Sequence, residues 1–227
     1  MISIVVPALN AAESLCATLA AVEGSDAALV REIVVSDGGS TDETRAVAAK
    51  AGAQIIVGPK GRGGQLKRGA AAATGDWLLF LHADTVLDPA WTDEARLIMR
   101  EPMTAAAFTL AFDSGSVGAK AVAFGANIRT RLFALPYGDQ GLLISRAHYD
   151  AVGGYRDMPL FEDVDIIDRI VARGGRRALR LLKTRAVTSA ERYERRGYAR
   201  QVFDNLAAIA RYRLGVPAEN IAEDYGK

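Results

Sequence analysis

The 227 residues are half hydrophobic and carry 28 basic against 27 acidic side chains, a net charge of +1. That is enough chain for one large α/β domain or two small ones, and the charge argues against a general nucleic-acid or membrane-surface binder, which needs a pronounced basic excess, though local basic clusters remain open. The single cysteine, Cys16, closes no internal disulfide, and no apolar run reaches the ~18 residues of a membrane span. A cytoplasmic soluble protein is expected, with peripheral membrane contact left open.

In chain order, Ile2–Val6 is a β-branched run ended by Pro7, after which Ala8-Leu9-Asn10 leads into a helix over Ala12–Val22. Glu32–Ser36 is the next strand, closed by Asp37-Gly38-Gly39-Ser40. Ser40 and Glu43 have capping-box spacing, which predicts a helix from there to about Lys50. Gln54–Val57 makes a third short strand, and Gly61–Gly75 a loop followed by a small-residue helix. Trp77–Leu81 is a continuous apolar run of the kind buried on both faces in the middle of a sheet. It stops at His82-Ala83-Asp84-Thr85, and Asp88-Pro89 then predicts an N-cap and a helix to about Arg100. This alternation predicts a parallel, doubly wound half over residues 1–100.

The second half, 101–227, is less regular. Ala105–Phe112 reads as a strand, Val117–Leu132 as a helix, Gly141–Ser145 as a strand and Arg146–Val152 as a short helix. Phe161–Arg173 is a clear helix stopped by Gly174-Gly175. Two short strands are expected at Ala178–Leu182 and Ala186–Ser189. An amphipathic helix over Tyr198–Leu214 and a polar tail, Pro217–Lys227, could serve a homodimer. No repeat or linker-like segment divides the chain, so a single domain over 1–227 is expected.

Pro7–Asn10, Asp37–Ser40, Arg62–Gln65 and Asp84 each follow a predicted strand. In a parallel sheet those ends converge on one edge, where open α/β sheets bind ligands. Asp84 is a candidate ligand for a hard divalent cation, the alternative being a turn cap. Asp37 is suited to accept from a base N–H or a ribose hydroxyl, or else simply forms the Asp-Gly turn. Arg62, in a glycine-rich loop, could meet phosphate or could be an exposed basic residue.

Phe161-Glu162-Asp163-Val164-Asp165 opens a helix, where acids suit the dipole without further purpose. Helical spacing puts Asp163 on the face of Ile166, Ile167 and Ile170, and Asp165 and Asp168 with Arg169 and Ala172. An acid on a core-facing edge is a candidate general base. Pro136-Tyr137-Gly138-Asp139-Gln140-Gly141 could hold a substrate hydroxyl or be a connector. The basic stretch Glu191–Arg200 could bind phosphate or form a solvated face with internal Glu–Arg pairs. No G-x-G-x-x-G follows the first strand and no G-x-x-x-x-G-K-[ST] occurs, which argues against a dinucleotide oxidoreductase and a P-loop NTPase. An aspartyl-nucleophile phosphatase would need an acid where His82 stands.

I-V-V-P-A-L-N-A-A-E-S-L (Ile4–Leu15), E-I-V-V-S-D-G-G-S-T-D (Glu32–Asp42), W-L-L-F-L-H-A-D-T (Trp77–Thr85) and F-E-D-V-D (Phe161–Asp165) together resemble glycosyltransferase family 2. The pieces P-Y-G-D-Q-G, S-A-E-R-Y-E-R-R-G and R-L-G-V-P look like a small bacterial subgroup, often associated by name with arsenosugar-type biosynthesis. The resemblance implies the GT-A (Rossmann-like) α/β fold: a single domain with a mixed, mostly parallel central sheet flanked by helices. Residues 1–100 would be its nucleotide-sugar-binding half and 101–227 its acceptor-binding half.

The resemblance also implies an inverting glycosyltransferase with a UDP- or GDP-linked sugar donor, a Mg²⁺ or Mn²⁺ cofactor and a small-molecule or lipid-linked acceptor. Pro7, Ala8, Leu9, Asn10, Glu13 and Asp37 would hold the nucleoside. Ala83 and Asp84 match the end of the family's D-x-D motif, with Asp84 the metal ligand, and His82 stands where its first Asp belongs. Arg62, with Arg192 or Arg196, would meet the diphosphate, and Gln65 would contact the donor. Asp163 with Glu162 matches the catalytic E-D pair, and Asp139 and Gln140 would contact the acceptor. The competing expectation is a catalytically degenerate nucleotide-binding or scaffold protein of the same fold.

Overall fold

The computed structural model describes residues 1–23 and 26–225. Four parallel strands follow from the four apolar runs of the first half: β1 (Ile2–Ala8), β2 (Val30–Asp37), β3 (Gln54–Val57) and β4 (Trp77–Phe80). Between them run α1 (Ala12–Glu23), α2 (Thr44–Lys50) and α3 (Arg62–Ala72). The chain continues through β5 (Thr85–Leu87), α4 (Trp91–Ile98), β6 (Ala105–Phe112), α5 (Val117–Phe133), β7 (Leu142–Ser145) and α6 (Arg146–Ala151). It ends with α7 (Glu162–Gly174), β8 (Leu179–Thr188), α8 (Glu191–Arg196), α9 (Tyr198–Arg213) and α10 (Ala218–Tyr225).

All eight strands form one sheet in the order β3-β2-β1-β4-β7-β6-β8-β5, with β7 antiparallel to β4 and β6, and β5 antiparallel to β8. The parallel half over residues 1–100 is as the strand–helix alternation predicts, and the mixed, mostly parallel sheet as a whole is the one the family resemblance implies. The strand period of two sorts the core. Ile4, Val6 and Leu79 face a layer with Leu15, Leu19 and Trp91, while Val5, Leu78 and Phe80 face one with Leu66, Ile166 and Ile170. A third, smaller cluster joins Phe161 and Val164 at the start of α7 to Ala208 of α9 and Ala218 and Ile221 of α10. The predicted polar tail is therefore a helix with a buried face, apart from Gly226 and Lys227, which lie outside the described residues. Among the described residues no helix is long and apolar enough to cross a membrane.

Four local expectations are corrected. The Ser40–Glu43 box does not cap α2, which starts at Thr44; the Ser40 hydroxyl turns back and donates to Asp37, while Asp42 accepts from the Thr44 N–H (3.0 Å). Asp88 does not cap α4, because its carboxylate pairs with Arg185 (2.8 Å) and Ala90 takes the cap position. Thr85–Leu87, too short to carry a pattern, pairs as β5 with β8. The two short strands expected around 178–189 are one strand with a register shift opposite Ala107 and Thr109. There the N–H groups of Lys183 and Thr184 donate to the Glu94 carboxylate (3.1 and 2.7 Å), so the polar interruption is a bulge satisfied from α4.

Helix α3 lies close against its neighbours because of its glycines. A Cβ on Gly63 would strike the Arg156 carbonyl and stand 2.8 Å from the Met158 nitrogen, backbone that cannot give way as a side-chain tip can. Gly63→Ala is expected to lower stability by about 1–3 kcal/mol despite the better helix propensity of Ala. Urea unfolding checks this, and an unchanged or raised midpoint would contradict the close packing.

Candidate active site

The carboxyl ends of β1 and β4 and the N-terminal ends of α3 and α7 enclose a cleft of about 720 Å³. Parallel pairing of β1 with both β2 and β4 brings their ends to one edge, and the loops that follow build the wall. Pro7, Ala8, Leu9 and Asn10 line it from β1, His82, Ala83 and Asp84 from β4, and Arg62 and Gln65 from α3. Glu162 and Asp163 line it from α7, and Arg192 from α8. The two acids singled out from distant stretches of sequence, Asp84 and Asp163, thus share one cavity.

Asp84 sits between β4 and β5 with an exposed carboxylate, touched only by a long contact from the Thr85 hydroxyl (3.5 Å) among the described residues. Asp163 is half-buried in the first turn of α7, where partial positive charge suits a carboxylate. Its Oδ2 accepts from the Gly138 N–H (2.7 Å) and its Oδ1 from the Val164 N–H (2.7 Å). Gly138 has no room for a side chain: a Cβ there would lie 2.6 Å from His82 Nε2 and 3.4 Å from Asp163 Oδ2. His82, Gly138 and Asp163 are therefore packed together at the cleft floor. Desolvation, and then the Arg62 guanidinium, hold the His82 imidazole well below its usual range, leaving the ring neutral at pH 7.

Glu162 is buried beside Arg62, whose Nη1 stands 3.6 Å from Oε1. Burial, and then the Asp163 charge, raise its carboxyl to about 7, with Arg62 pulling the other way. Asp139 behaves similarly: burial pushes it up to about 6, Asp163 and Asp84 add to the shift, and Arg129 opposes it. Its Oδ1 is buried without a hydrogen-bond partner among the described residues, and it is not part of the cleft wall.

Other expected contacts are used elsewhere. Asp37 is fully buried, its oxygens accepting from the Gly39 and Ser40 N–H groups (3.2 and 3.1 Å) and the Ser40 hydroxyl. The turn-forming alternative describes it. Glu13 is exposed on α1 outside the cleft wall, where Ser14 lies instead. Gln140 is buried, its Nε2 donating to the Phe108 carbonyl (3.0 Å) and its Oε1 accepting from Thr130 (2.8 Å). Arg196 lines a separate depression with Arg200, Arg211 and Asp224.

The helical-face assignment also needs correcting. Asp165 is buried and Asp163 is the half-buried one. Asp165 is held by Arg156 (2.9 Å) and Arg169 (3.1 Å), a doubly paired acid that locks α7 in place. Asn205, Ala208 and Ile209 on one face of α9, residues without a signal in the sequence, complete the wall with Phe161 of the F-E-D-V-D stretch, a non-glycine residue at φ +66° whose ring stacks on Tyr212 at 4.7 Å. An amphipathic helix reads the same whether its buried face meets core or cleft. Only the P-Y-G-D-Q-G turn hinted at the role of Gly138.

The model of the family described as glycosyl transferase family 2 matches residues 3–133. Glucosyl-3-phosphoglycerate synthase of Mycolicibacterium smegmatis is 38% identical over 97 residues, 39% of this chain and 32% of that protein. A glycosyltransferase of Mycobacterium tuberculosis, itself uncharacterized, is 41% identical over 88 residues, 38% of each. The matches thus span about a third of the length of these relatives. Among solved structures, glucosyl-3-phosphoglycerate synthase from Mycobacterium tuberculosis with phosphoglyceric acid superposes with a TM-score of 0.67 at 22% identity, covering 96% of this chain and 81% of that one. The same enzyme with Mn²⁺, uridine diphosphate and phosphoglyceric acid gives 0.64 at 22% identity, covering 96% and 79%.

A carboxyl near 7 in the folded chain and at its ordinary 4.5 when unfolded keeps a proton that the unfolded chain has already released. Stability attributable to Glu162 is therefore intact below pH 4.5 and falls as pH rises toward about 7. Glu162→Gln should remove that slope and stabilise the chain above neutrality by on the order of 3 kcal/mol, with a far smaller gain at pH 4. Urea unfolding of both proteins across this range checks it; parallel pH profiles would refute the raised carboxyl.

Proposed function

The chain belongs to glycosyl transferase family 2, and on that premise we propose that it transfers a sugar from a nucleotide-diphosphate donor to an acceptor hydroxyl. The observation that carries this reading is the shared cleft of Asp84 and Asp163, with the Arg62 guanidinium in the same wall. A volume of about 720 Å³ suits a small ligand, and the fold neighbour that holds uridine diphosphate and Mn²⁺ makes UDP-sugars the first donors to test before GDP-sugars.

The residues present fit a divalent cation held jointly by protein and donor. Among the described residues no three His, Cys, Asp or Glu side chains form a metal cage. Asp84 offers one unencumbered hard oxygen ligand at the cleft wall, and Mg²⁺ or Mn²⁺ commonly completes its shell with substrate phosphates and water. Bound there, the cation would neutralise charge growing on the departing diphosphate. Arg62 and Arg192 would add to that from α3 and α8, and Glu162 is a positioning residue that keeps Arg62 turned inward.

Asp163 is the proposed general base. It takes the acceptor's hydroxyl proton while the oxygen bonds to the anomeric carbon, and the bond from that carbon to the diphosphate oxygen breaks with its electron pair leaving on the diphosphate. One displacement of this kind inverts the anomeric centre. The Gly138 N–H, donating to Oδ2, fixes the carboxylate's orientation. Residues 1–100 then serve the donor and 101–227 the acceptor, a small molecule or a lipid-linked hydroxyl, with Asp139 near it and Gln140 supporting the turn from below. Asp37, Glu13 and Arg196 are left out of the direct contacts.

One observation favours a second reading, a degenerate nucleotide-binding protein: a neutral His82 occupies the place of an acid in the metal motif. A thermal-shift screen of UDP- and GDP-sugars with and without Mn²⁺, followed by product analysis, separates the two. Turnover supports the enzyme, and tight binding without turnover supports the degenerate site.

Asp163→Asn is expected to cut transfer by roughly 10²–10⁴-fold while leaving the donor-induced thermal shift in place. Near-normal transfer by this variant would reject the assigned base. For the cation, Asp84→Ala should abolish the Mn²⁺-dependent part of the donor-induced shift, and a shift equal to that of the parent would remove Asp84 from the metal site.

A further inference from the structure

Helix α5 is apolar on the wrong side. Its buried face, packed on β6, consists of the small residues Ala119, Ala126 and Thr130. Val117, Phe124, Ile128 and Leu132 recur at helical spacing on the opposite face, and their exposures are 84%, 68%, 37% and 55%. Scattered exposed hydrophobics need no explanation, but a four-residue stripe along one helix does. Helix α9 adjoins it: a Cβ on Gly118 would stand 2.5 Å from the Tyr198 ring, and the Ser116 and Tyr198 hydroxyls are hydrogen-bonded at 2.9 Å. The outer side of α9 adds Phe203 and Leu206, both exposed.

Charge identifies the occupant. The segments 117–133 and 191–213 hold nine Lys and Arg against three Asp and Glu, in a chain whose net charge is only +1. Arg195, Arg211 and Arg213 are paired with Glu191, Asp224 and Asp168. Lys120, Arg131, Arg196 and Arg200 enter no ion pair among the described residues. Lys120 and Arg131, eleven residues apart, fall on the same flank of the α5 stripe. A second copy docking on this face would bring like charges together, whereas an anionic bilayer answers both the apolar stripe and its cations.

We propose that α5, with the adjoining outer face of α9, docks the protein on an anionic phospholipid bilayer. Phe124 and its neighbours enter the headgroup region and Lys120 and Arg131, on the flank of the stripe, meet lipid phosphates, while Arg196 and Arg200 lie in the separate depression with Asp224. The inner face of α9 supplies Asn205, Ala208 and Ile209 to the cleft, so the docked helix would lie between the bilayer and the cleft. The proposal concerns a surface outside the cleft and is independent of the reaction assigned above.

Co-sedimentation of the full chain with mixed phosphatidylglycerol–phosphatidylcholine vesicles, against pure phosphatidylcholine, tests it. Binding is expected to the anionic vesicles and to weaken as salt rises. The double variants Phe124→Ser/Ile128→Ser and Lys120→Glu/Arg131→Glu should each weaken it roughly tenfold or more, with melting temperatures near that of the parent. Absence of binding to anionic vesicles at low salt would overturn the proposal, as would parental binding by both variants. A dimer in sedimentation velocity that Phe124→Ser/Ile128→Ser abolishes, without any vesicle binding, would overturn it in favour of a second copy.

Discussion

The Gln65 amide donates from Nε2 to the carbonyls of Ala8 (2.8 Å) and Ser36 (2.9 Å) and accepts at Oε1 from the Gly61 N–H (3.2 Å), joining three loops through one buried side chain. Strand ends need such partners, since their last carbonyls and N–H groups have left the ladder and each one buried without a partner costs about 1–3 kcal/mol. The same economy governs the neighbouring loops. Asn10 donates from its backbone N–H to the Ser40 hydroxyl (2.9 Å) and accepts from the Thr41 N–H at its side chain (2.9 Å). Polar residues at the ends of β1 and β2 first hold one another, and the cleft is the space this mutual bracing leaves beside Asp84.

On the opposite wall the constraint is packing. Phe161 takes a left-handed conformation that costs a bulky residue on the order of 1–3 kcal/mol, and it is compensated by a buried, stacked ring. The turn it makes starts α7 so that Glu162 is directed inward and Asp163 toward the cleft. Asp165, paired with both Arg156 and Arg169, then fixes the rotation of the helix. Two neighbouring acids thereby acquire different surroundings: Glu162 is desolvated and raised, and Asp163 faces open space with a backbone donor on one oxygen.

Much of this was legible in the residues. The runs Ile2–Val6 and Trp77–Leu81 are apolar at every position because β1 and β4 are buried on both faces, and the α7 stripe is strong enough to declare a helix. Asp84 and Arg62 could be brought together because parallel strands end on one edge whatever their loops contain, whereas Asp163, at the start of a helix, joined them only through the family resemblance. What failed depended on contacts between segments far apart in sequence. The capping signals at Ser40 and Asp88 were captured by Asp37 and Arg185, and β5 exists only through β8. Whether an acid such as Asp37 or Asp165 faces ligand or protein is decided by partners that local spacing does not encode. The contribution of α9 to the cleft is illegible for the same reason.

The stack of Phe161 on Tyr212, with Ala218 and Ile221 closing over it, makes the end of the chain a footing for the acids at its opposite wall. The left-handed turn at 161 persists because α9 and α10 hold the ring down, so the strain it stores is theirs to keep or release. Without the packing of these helices, nothing would offset the cost of that turn, whereas the sheet has its own two core layers. The final helices thus buttress the start of α7, the turn from which the second carboxylate is presented.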